Sequence, residues 1–471
     1  MKLRFVTSII LIIVSTCVIY SQQKDRTYQH GGIIFNKDEA NKVVFAFLPS
    51  WIYANNTEVT IRYDLLTHLA IFTYEADIDG NLTPPQAWPW LDVFEKASEN
   101  NVKMIMTITN FNSDEIHLLF TDSQRRANFF NNITDTVAQY GFNGIVIDFE
   151  NVNLSDDRQF AFANFMRLLK QEMDIFPAFE LSVALPANGY LGWDFKGISE
   201  YCNYVFVMGY DYYGSWSSTT GPSAPLTGTT FYLKKDIDEY YKDVTPDKII
   251  LGVPYYGNIW DVHSGEPYVS AIHFDGINQV NNWQESLTYE DIVNNYSYYE
   301  KMFDYVSNTS WMRYRENDTT WKQIWYDDTT SLGLKYDWAI ERNFKGIGIW
   351  ALGYDNGRDE LWNLIYNKFY EPTSVREEKY IYNGFVLSRN YPNPFNSSTI
   401  IKYNLQTAGY ISLKIYDMLG REIYDLVNGY KQAGEHSVEF RVKSEELASG
   451  VYFYTMIING GVLTRKMIYL K

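Results

Sequence analysis

Cysteine is nearly absent from this chain: the two present are Cys17 and Cys202. Cys17 falls in an N-terminal segment laid out for removal, which leaves Cys202 alone and excludes any intramolecular disulfide. Stability must come from packing. Cys202 stands beside the apolar run Tyr204 to Met208, where a lone cysteine is a small buried hydrophobe, and it carries no catalytic role. Positive charge is scarce too, with 40 Lys and Arg against 57 Asp and Glu and a formal net charge of −17. That balance excludes nucleic acid and anionic surfaces as natural partners, since both reward clustered cations. Long apolar runs are confined to the start of the chain. Lys2 and Arg4 precede a run from Ile9 to Ile19, followed by Ser21 and Gln22, the layout of a secretory signal peptide over residues 1–21. The run is shorter than the roughly 20 apolar residues a spanning helix needs, and no comparable run follows, so no stable membrane span is expected. Val14-Ser15-Thr16-Cys17 is a poor lipobox, which argues against a lipid at Cys17. No internal repeat or heptad run is present.

What the chain does have is length and aromatics: 471 residues, 46% apolar and 17% aromatic, enough for one large domain and a small one. Tyrosine stands out at 40 residues. Its flat apolar face and polar edge suit sugar rings, although most tyrosines simply pack. Short β-branched and aromatic runs recur between stretches of helical period, the signature of βα units on a parallel sheet. The runs are Val43–Phe47, Leu69–Tyr74, Lys103–Thr109, Gly144–Glu150, Glu180–Leu185, Tyr204–Tyr210, Ile249–Val253 and Gly346–Trp350, with amphipathic segments such as Phe160–Met173 between them. Eight such units predict an α/β fold of the closed (β/α)₈ barrel type over residues 42–368. Residues 256–325 are too long for one βα loop and read as an elaborated loop region after the seventh run.

Beyond residues 369–384, which read as a linker around Glu371-Pro372-Thr373, the pattern changes to strand alone. Ile411–Tyr416, Ser437–Val442 and Val451–Ile458 read as strands, and Asn459-Gly460 turns the chain into Val462–Leu470. Residues 385–471 are therefore expected to form a small all-β sandwich.

The segment that carries chemistry is Gly141-Phe142-Asn143-Gly144-Ile145-Val146-Ile147-Asp148-Phe149-Glu150. On a strand, Gly144, Val146, Asp148 and Glu150 share one face, and Ile145, Ile147 and Phe149 the other. Asp148 and Glu150 then aim into the barrel with Cα atoms about 6.6 Å apart, at the C-terminal end where barrel enzymes keep their sites. Two carboxyls on one buried face disfavour each other's ionisation, so they share a proton and the one that keeps it can act as a general acid. The alternative is a structural pair satisfied by Arg or backbone amides.

This segment resembles the strand-four signature of glycoside hydrolase family 18, Asp-x-x-Asp-x-Asp-x-Glu, with Asn143, Val146, Asp148 and Glu150 in its four places. Met208-Gly209-Tyr210-Asp211, Ile250 to Gly257 and Trp350 resemble the family's strands six, seven and eight, in the right order. The resemblance implies a metal-free, cofactor-free retaining hydrolysis assisted by the 2-acetamido group of an N-acetylglucosamine-containing polysaccharide. Glu150 would be the acid, Asp148 would orient the acetamide, and Tyr210 would donate a hydrogen bond to its oxygen. Met208, Asp211 and Tyr74 would line the sugar subsite, with Trp350 as its apolar floor. Two departures stand out: Asn143 and Val146 replace the first two aspartates. Ile147-Asp148-Phe149-Glu150-Asn151-Val152 resembles the branch of spore-cortex glucosaminidases, which moves weight from chitin towards peptidoglycan.

The C-terminal module resembles the type IX secretion sorting domain. The residues that carry this are Asn390-Tyr391-Pro392-Asn393-Pro394-Phe395-Asn396, Ile415 to Glu422, Ser449-Gly450-Val451-Tyr452, and the terminal Lys466 and Lys471. It implies the type IX machinery as a partner and a secreted or surface location. The competing readings are a non-catalytic lectin, which a missing acid would favour, and a barrel serving only as a scaffold.

Overall fold

A computed structural model describes residues 27–30, 33–36, 42–55, 60–152, 158–189, 192–214, 216–272, 284–370, 380–382, 385–388, 390, 392–393, 395–405, 407–417, 421–442, 447–458 and 461–471. The expected signal peptide, residues 371–379 and 383–384 of the expected linker, Tyr391, Pro394, Met418-Leu419-Gly420 and the Asn459-Gly460 turn lie outside these residues. The chain forms two compact units, one ending at Tyr370 and one starting at Glu371.

The first unit is a TIM barrel. Its strands are β1 (Val43–Pro49), β2 (His68–Ala76), β3 (Lys103–Asn110), β4 (Gly144–Phe149), β5 (Glu180–Pro186), β6 (Tyr204–Met208), β7 (Ile249–Pro254) and β8 (Gly346–Trp350). All pair in parallel in the order β1-β8-β7-β6-β5-β4-β3-β2, and β1 pairs with β2 to close the ring. Helices including Ser123–Tyr140, Arg158–Met173 and Thr329–Glu341 cover the outside. Strand alternation sorts the residues into two layers. Ile145, Ile147 and Phe149 face the helices, whereas Phe45, Phe47, Ala70, Val146, Ala184 and Phe206 fill the lumen. The lumen is packed by pairing large with small. The Phe206 ring lies edge-on to Phe47, with centroids 4.9 Å apart. It also occupies the space over two glycines: a Cβ built on Gly252 or Gly348 would fall 2.6 or 2.1 Å from that ring.

The described residues within 256–326 differ from the loop reading. They fold into an antiparallel five-stranded sheet, in the order 284–288, 256–262, 321–326, 309–315, 300–304, with the helix Tyr289–Tyr296 attached through a Thr288–Asp291 capping box. The sheet has a core of its own: Trp260 is buried beside Trp311 and Trp325, whose rings stack 5.0 Å apart. Strands such as Tyr256–Val262 are buried along almost their whole length, so they lack the alternation by which an antiparallel strand shows itself in sequence.

The second unit is all β, with two four-stranded antiparallel sheets around one core that includes Leu413, Tyr454 and Met467. It adds Ser398–Leu405 and Glu422–Lys431 to the strands expected from sequence. Within the Pro-Asn-Pro segment, the Asn390 amide donates to Thr399 Oγ1 at 2.9 Å, and Asn393 Oδ1 accepts the Ile468 N–H at 2.8 Å. No helix among the described residues is long and apolar enough to cross a membrane.

Candidate active site

The route into β4 is set by local signals. Asp122 caps the helix Ser123–Tyr140 by accepting the Gln124 and Arg125 N–H groups, and Gly141 stops it with a left-handed φ of 75°. Asn143 then ties β4 to β3: its side-chain oxygen accepts the Met104 N–H at 2.8 Å, and its own N–H donates to the Met104 carbonyl at 2.8 Å. The residue in the first place of the signature is thus a strand clamp that needs no charge. At the other end the Glu150 N–H donates to the Asn110 carbonyl at 3.1 Å, and the Asn110 amide donates to the Ala76 carbonyl at 2.8 Å. The C-terminal ends of β2, β3 and β4 are locked together where the carboxyls emerge.

Asp148 is buried on the inner face, with its Oδ1 shielded from solvent and lacking a hydrogen-bond partner within the protein. Burial, reinforced by the Glu150 charge, pushes its carboxyl well above the usual carboxylate range. Glu150 is half-buried at the strand end, and its carboxyl is also raised, by burial and then by the Asp211 charge. Tyr210 faces all three carboxyls, and burial followed by the charges of Asp148, Asp211 and Glu150 lifts its phenol well above its ordinary range. It therefore stays a hydroxyl donor. The arrangement favours the protonated form of a carboxyl and presents a neutral hydroxyl donor next to it, which is the equipment of acid catalysis.

Of the other expected residues, Met208 and Trp350 are partly buried and pack on the lumen cluster at the ends of β6 and β8. The Trp350 ring lies 4.7 Å from Phe72 and 5.6 Å from Phe47, edge-on to both. Tyr74 is a correction. A bulge in β2 between Ile71 and Tyr74 inserts one residue against β3, and this reverses the alternation that would have placed Tyr74 inside. Its ring packs instead against Trp88, 5.3 Å away, in the layer beneath the helices. Thr73 takes the inner position and meets Thr109 Oγ1 at 2.9 Å.

Asp211, expected to line the subsite, is joined around this group by residues that the sequence reading gave no role. Asp211 has a left-handed φ of 62°, and its carboxyl accepts a short hydrogen bond from the buried Tyr256 hydroxyl. The Asp211 N–H donates to Ser223 Oγ at 3.0 Å. Trp51, just beyond β1, is 40% exposed and lies 6.5 Å from Trp350, while Phe111 and Trp216 are 50% and 65% exposed on the loops after β3 and β6. Trp51, Phe111 and Trp216 all follow the C-terminal ends of strands, Trp51 on the helix Ser50–Asn55, and that position was the sequence signal available for them. No group of three or more His, Cys, Asp or Glu among the described residues is gathered as a metal site.

The profile of glycosyl hydrolases family 18 matches residues 17–355, and that of a secretion system C-terminal sorting domain matches residues 389–470. The chain is 28% identical over 299 residues to the putative sporulation-specific glycosylase YdhD of Bacillus subtilis, covering 60% of this chain and 65% of that one. It is 26% identical over 320 residues to the cortical fragment-lytic enzyme of the same organism, covering 64% of this chain and 68% of that one. The chain thus spans about two thirds of the length of either relative. Among solved structures, the Group IV chitinase of Ostrinia furnacalis superposes with a TM-score of 0.60 at 20% identity, over 70% of this chain and 99% of that one, a likeness of fold.

Proposed function

The chain belongs to glycosyl hydrolases family 18, and from that premise we propose that it cleaves β-1,4 bonds next to N-acetylglucosamine with retention, Glu150 acting as the general acid. The observation that supports this is the inward pair on β4, with Asp148 buried, Glu150 at the rim and both carboxyls raised above their ordinary range. In the first step Glu150 gives its proton to the glycosidic oxygen while the substrate's 2-acetamido oxygen attacks the anomeric carbon, forming an oxazolinium ion. The leaving sugar departs with the glycosidic electron pair. Water then opens the ring from the same face, and Glu150 takes back a proton. Asp148 holds the acetamide nitrogen side, and the Tyr210 hydroxyl donates to the acetamide oxygen. Met208 and Asp211 line the reacting subsite, and Trp350 offers the apolar face on which that sugar rests.

Peptidoglycan is the favoured polymer. The YdhD and cortical fragment-lytic relatives act in sporulation and on cortex fragments by their names, and Val146 resembles the same branch. We assign export to the signal peptide at residues 1–21 and to sorting of residues 385–471 by the type IX machinery, with residues 369–384 as linker and the product released or held at the cell surface. A lectin would bind without turnover. Hydrolysis of a chromogenic chitobioside separates the two, and mass spectrometry of products from peptidoglycan, chitin and N-glycan cores names the polymer. Saturable binding with no product from any of them would sink the enzyme reading.

A further inference from the structure

Asp211 sits in a backbone conformation that side-chain-bearing residues rarely adopt. Three separate segments meet to hold it there: the loop after β6, residue 223 further along the same connection, and the junction between β7 and the strand Tyr256–Val262. Ser223 Oγ accepts the Asp211 N–H at 3.0 Å and lies 3.4 Å from Asp211 Oδ1 and 3.2 Å from the Tyr256 hydroxyl. The Tyr256 hydroxyl donates to the same Asp211 oxygen. Tyr256 is 8% exposed and its ring meets Tyr210 edge-on at 6.2 Å, so the clamp is packed against the reacting group.

The titratable groups facing this point are Asp148 and Glu150 from β4, Tyr210 and Asp211 from the loop after β6, and Tyr256 from the β7 junction. Among the described residues, no Lys, Arg or His is one of the groups that act on the three carboxyls. Three acids therefore share a partly desolvated site, and what favours the ionised form of Asp211 is a pair of neutral hydroxyls. Burial raises the Asp211 carboxyl, and the hydrogen bonds from Tyr256 and Ser223 oppose that rise. Burial also pushes the Tyr256 phenol far above its ordinary range, so it remains a donor at every working pH.

We propose that Tyr256 and Ser223 are positioning residues for the acid: by donating to Asp211 they keep its carboxylate charged beside Glu150 and leave the site's proton on Glu150. The proposal rests on the reading of Glu150 as general acid. Without the Tyr256 hydroxyl, Asp211 competes for the proton and Glu150 ionises sooner, which moves the loss of activity on the basic side to lower pH.

The test is the pH dependence of kcat/KM on a chito-oligosaccharide for wild type, Tyr256→Phe, Ser223→Ala, Asp211→Asn and Asp211→Asn with Tyr256→Phe. Tyr256→Phe should shift the basic limb down by about one pH unit, a tenfold loss of kcat/KM at a pH on that limb. Ser223→Ala should shift it the same way by less, and Tyr256→Phe should shift nothing further once Asp211 is Asn. An unmoved limb with only KM or melting temperature changed overturns the proposal, as does an equal shift in the Asp211→Asn background. Carboxyl ¹³C titration of Glu150, assigned by its loss in Glu150→Gln, reads the same midpoint without turnover. If the protein hydrolyses nothing yet that midpoint falls in Tyr256→Phe, the catalytic reading fails and the clamp stands. If the midpoint is unchanged, the clamp fails.

Discussion

Asp355 lies in the loop that follows β8, five residues beyond Trp350, and is 1% exposed. Its Oδ2 accepts the Trp362 indole N–H at 2.7 Å, while Oδ1 has no partner within the protein. Burial pushes its carboxyl from 3.8 up to about 6, against the pull of Trp362 and the backbone amides of Asp355 and Gly357. Between pH 3.8 and about 6 the folded chain holds a proton that the unfolded chain has released. Stability therefore falls as pH rises through that window. At 1.36 kcal/mol per unit the full loss is about 3 kcal/mol by pH 7. Asp355→Asn removes this slope. The amide oxygen can still accept from Trp362, but the amide nitrogen is left without an acceptor where Oδ1 was, a pH-independent cost of about 1–3 kcal/mol. The readout is thus the difference between two pH values, which cancels that cost. Denaturant unfolding of the barrel unit at pH 4.5 and 7.5 should show Asp355→Asn gaining about 2 kcal/mol on wild type between the two, since about 1 kcal/mol is already lost by pH 4.5. Equal stability differences at both pH values would refute the raised, buried carboxyl.

Glu150→Gln should lower kcat at least about a hundredfold while oligosaccharide binding survives, because the amide keeps the shape and loses the proton; wild-type turnover on a substrate with a poor leaving group would remove Glu150 from its role. Secreted protein should end near residue 384, since a sorting module of this kind is removed after export; an intact mass extending to Lys471 would contradict that. Val146 is fully buried, in register with Thr107 on β3 and Ser182 on β5. Val146→Asp should lower the melting temperature by adding a further buried carboxyl beneath Asp148, less so if the unpartnered Thr107 hydroxyl donates to it. It should also shift the pH–rate profile, while wild type is active without it. An inactive wild type restored to turnover by Val146→Asp would make this barrel a degenerate binder.

The parts of the site that were legible in the sequence are those fixed by one strand's own periodicity. Gly144 to Glu150 alternates so strictly that its two faces, and the inward aim of Asp148, followed from counting, and the lumen packing of Val146 against the outward Ile145 and Ile147 agrees with it. Counting fails where a neighbour changes the phase. Tyr74 continues the pattern of Ala70 and Phe72, and only the bulge set by pairing with β3 turns it outward. The insertion was hidden for a related reason, because strands covered on one face by Trp260, Trp311 and Trp325 and on the other by Ile259, Met312 and Ile324 show no alternation to read.

The Asp211 clamp lies beyond sequence reading in a stronger sense. Asp211 and Tyr256 are 45 residues apart, and Ser223 falls in a loop whose described residues form no helix or strand. Nothing local to Tyr256 distinguishes it from Tyr255 beside it, which points into the helix layer. What selects Tyr256 is the pairing of β6 with β7, which brings the end of β6 against the start of the inserted sheet. The carboxyl pair could be inferred from a strand, whereas the control of its proton required the fold. That division follows from range: alternation is dictated within one chain segment by backbone sterics, while the balance of charge among three acids depends on which distant hydroxyls the topology delivers to them.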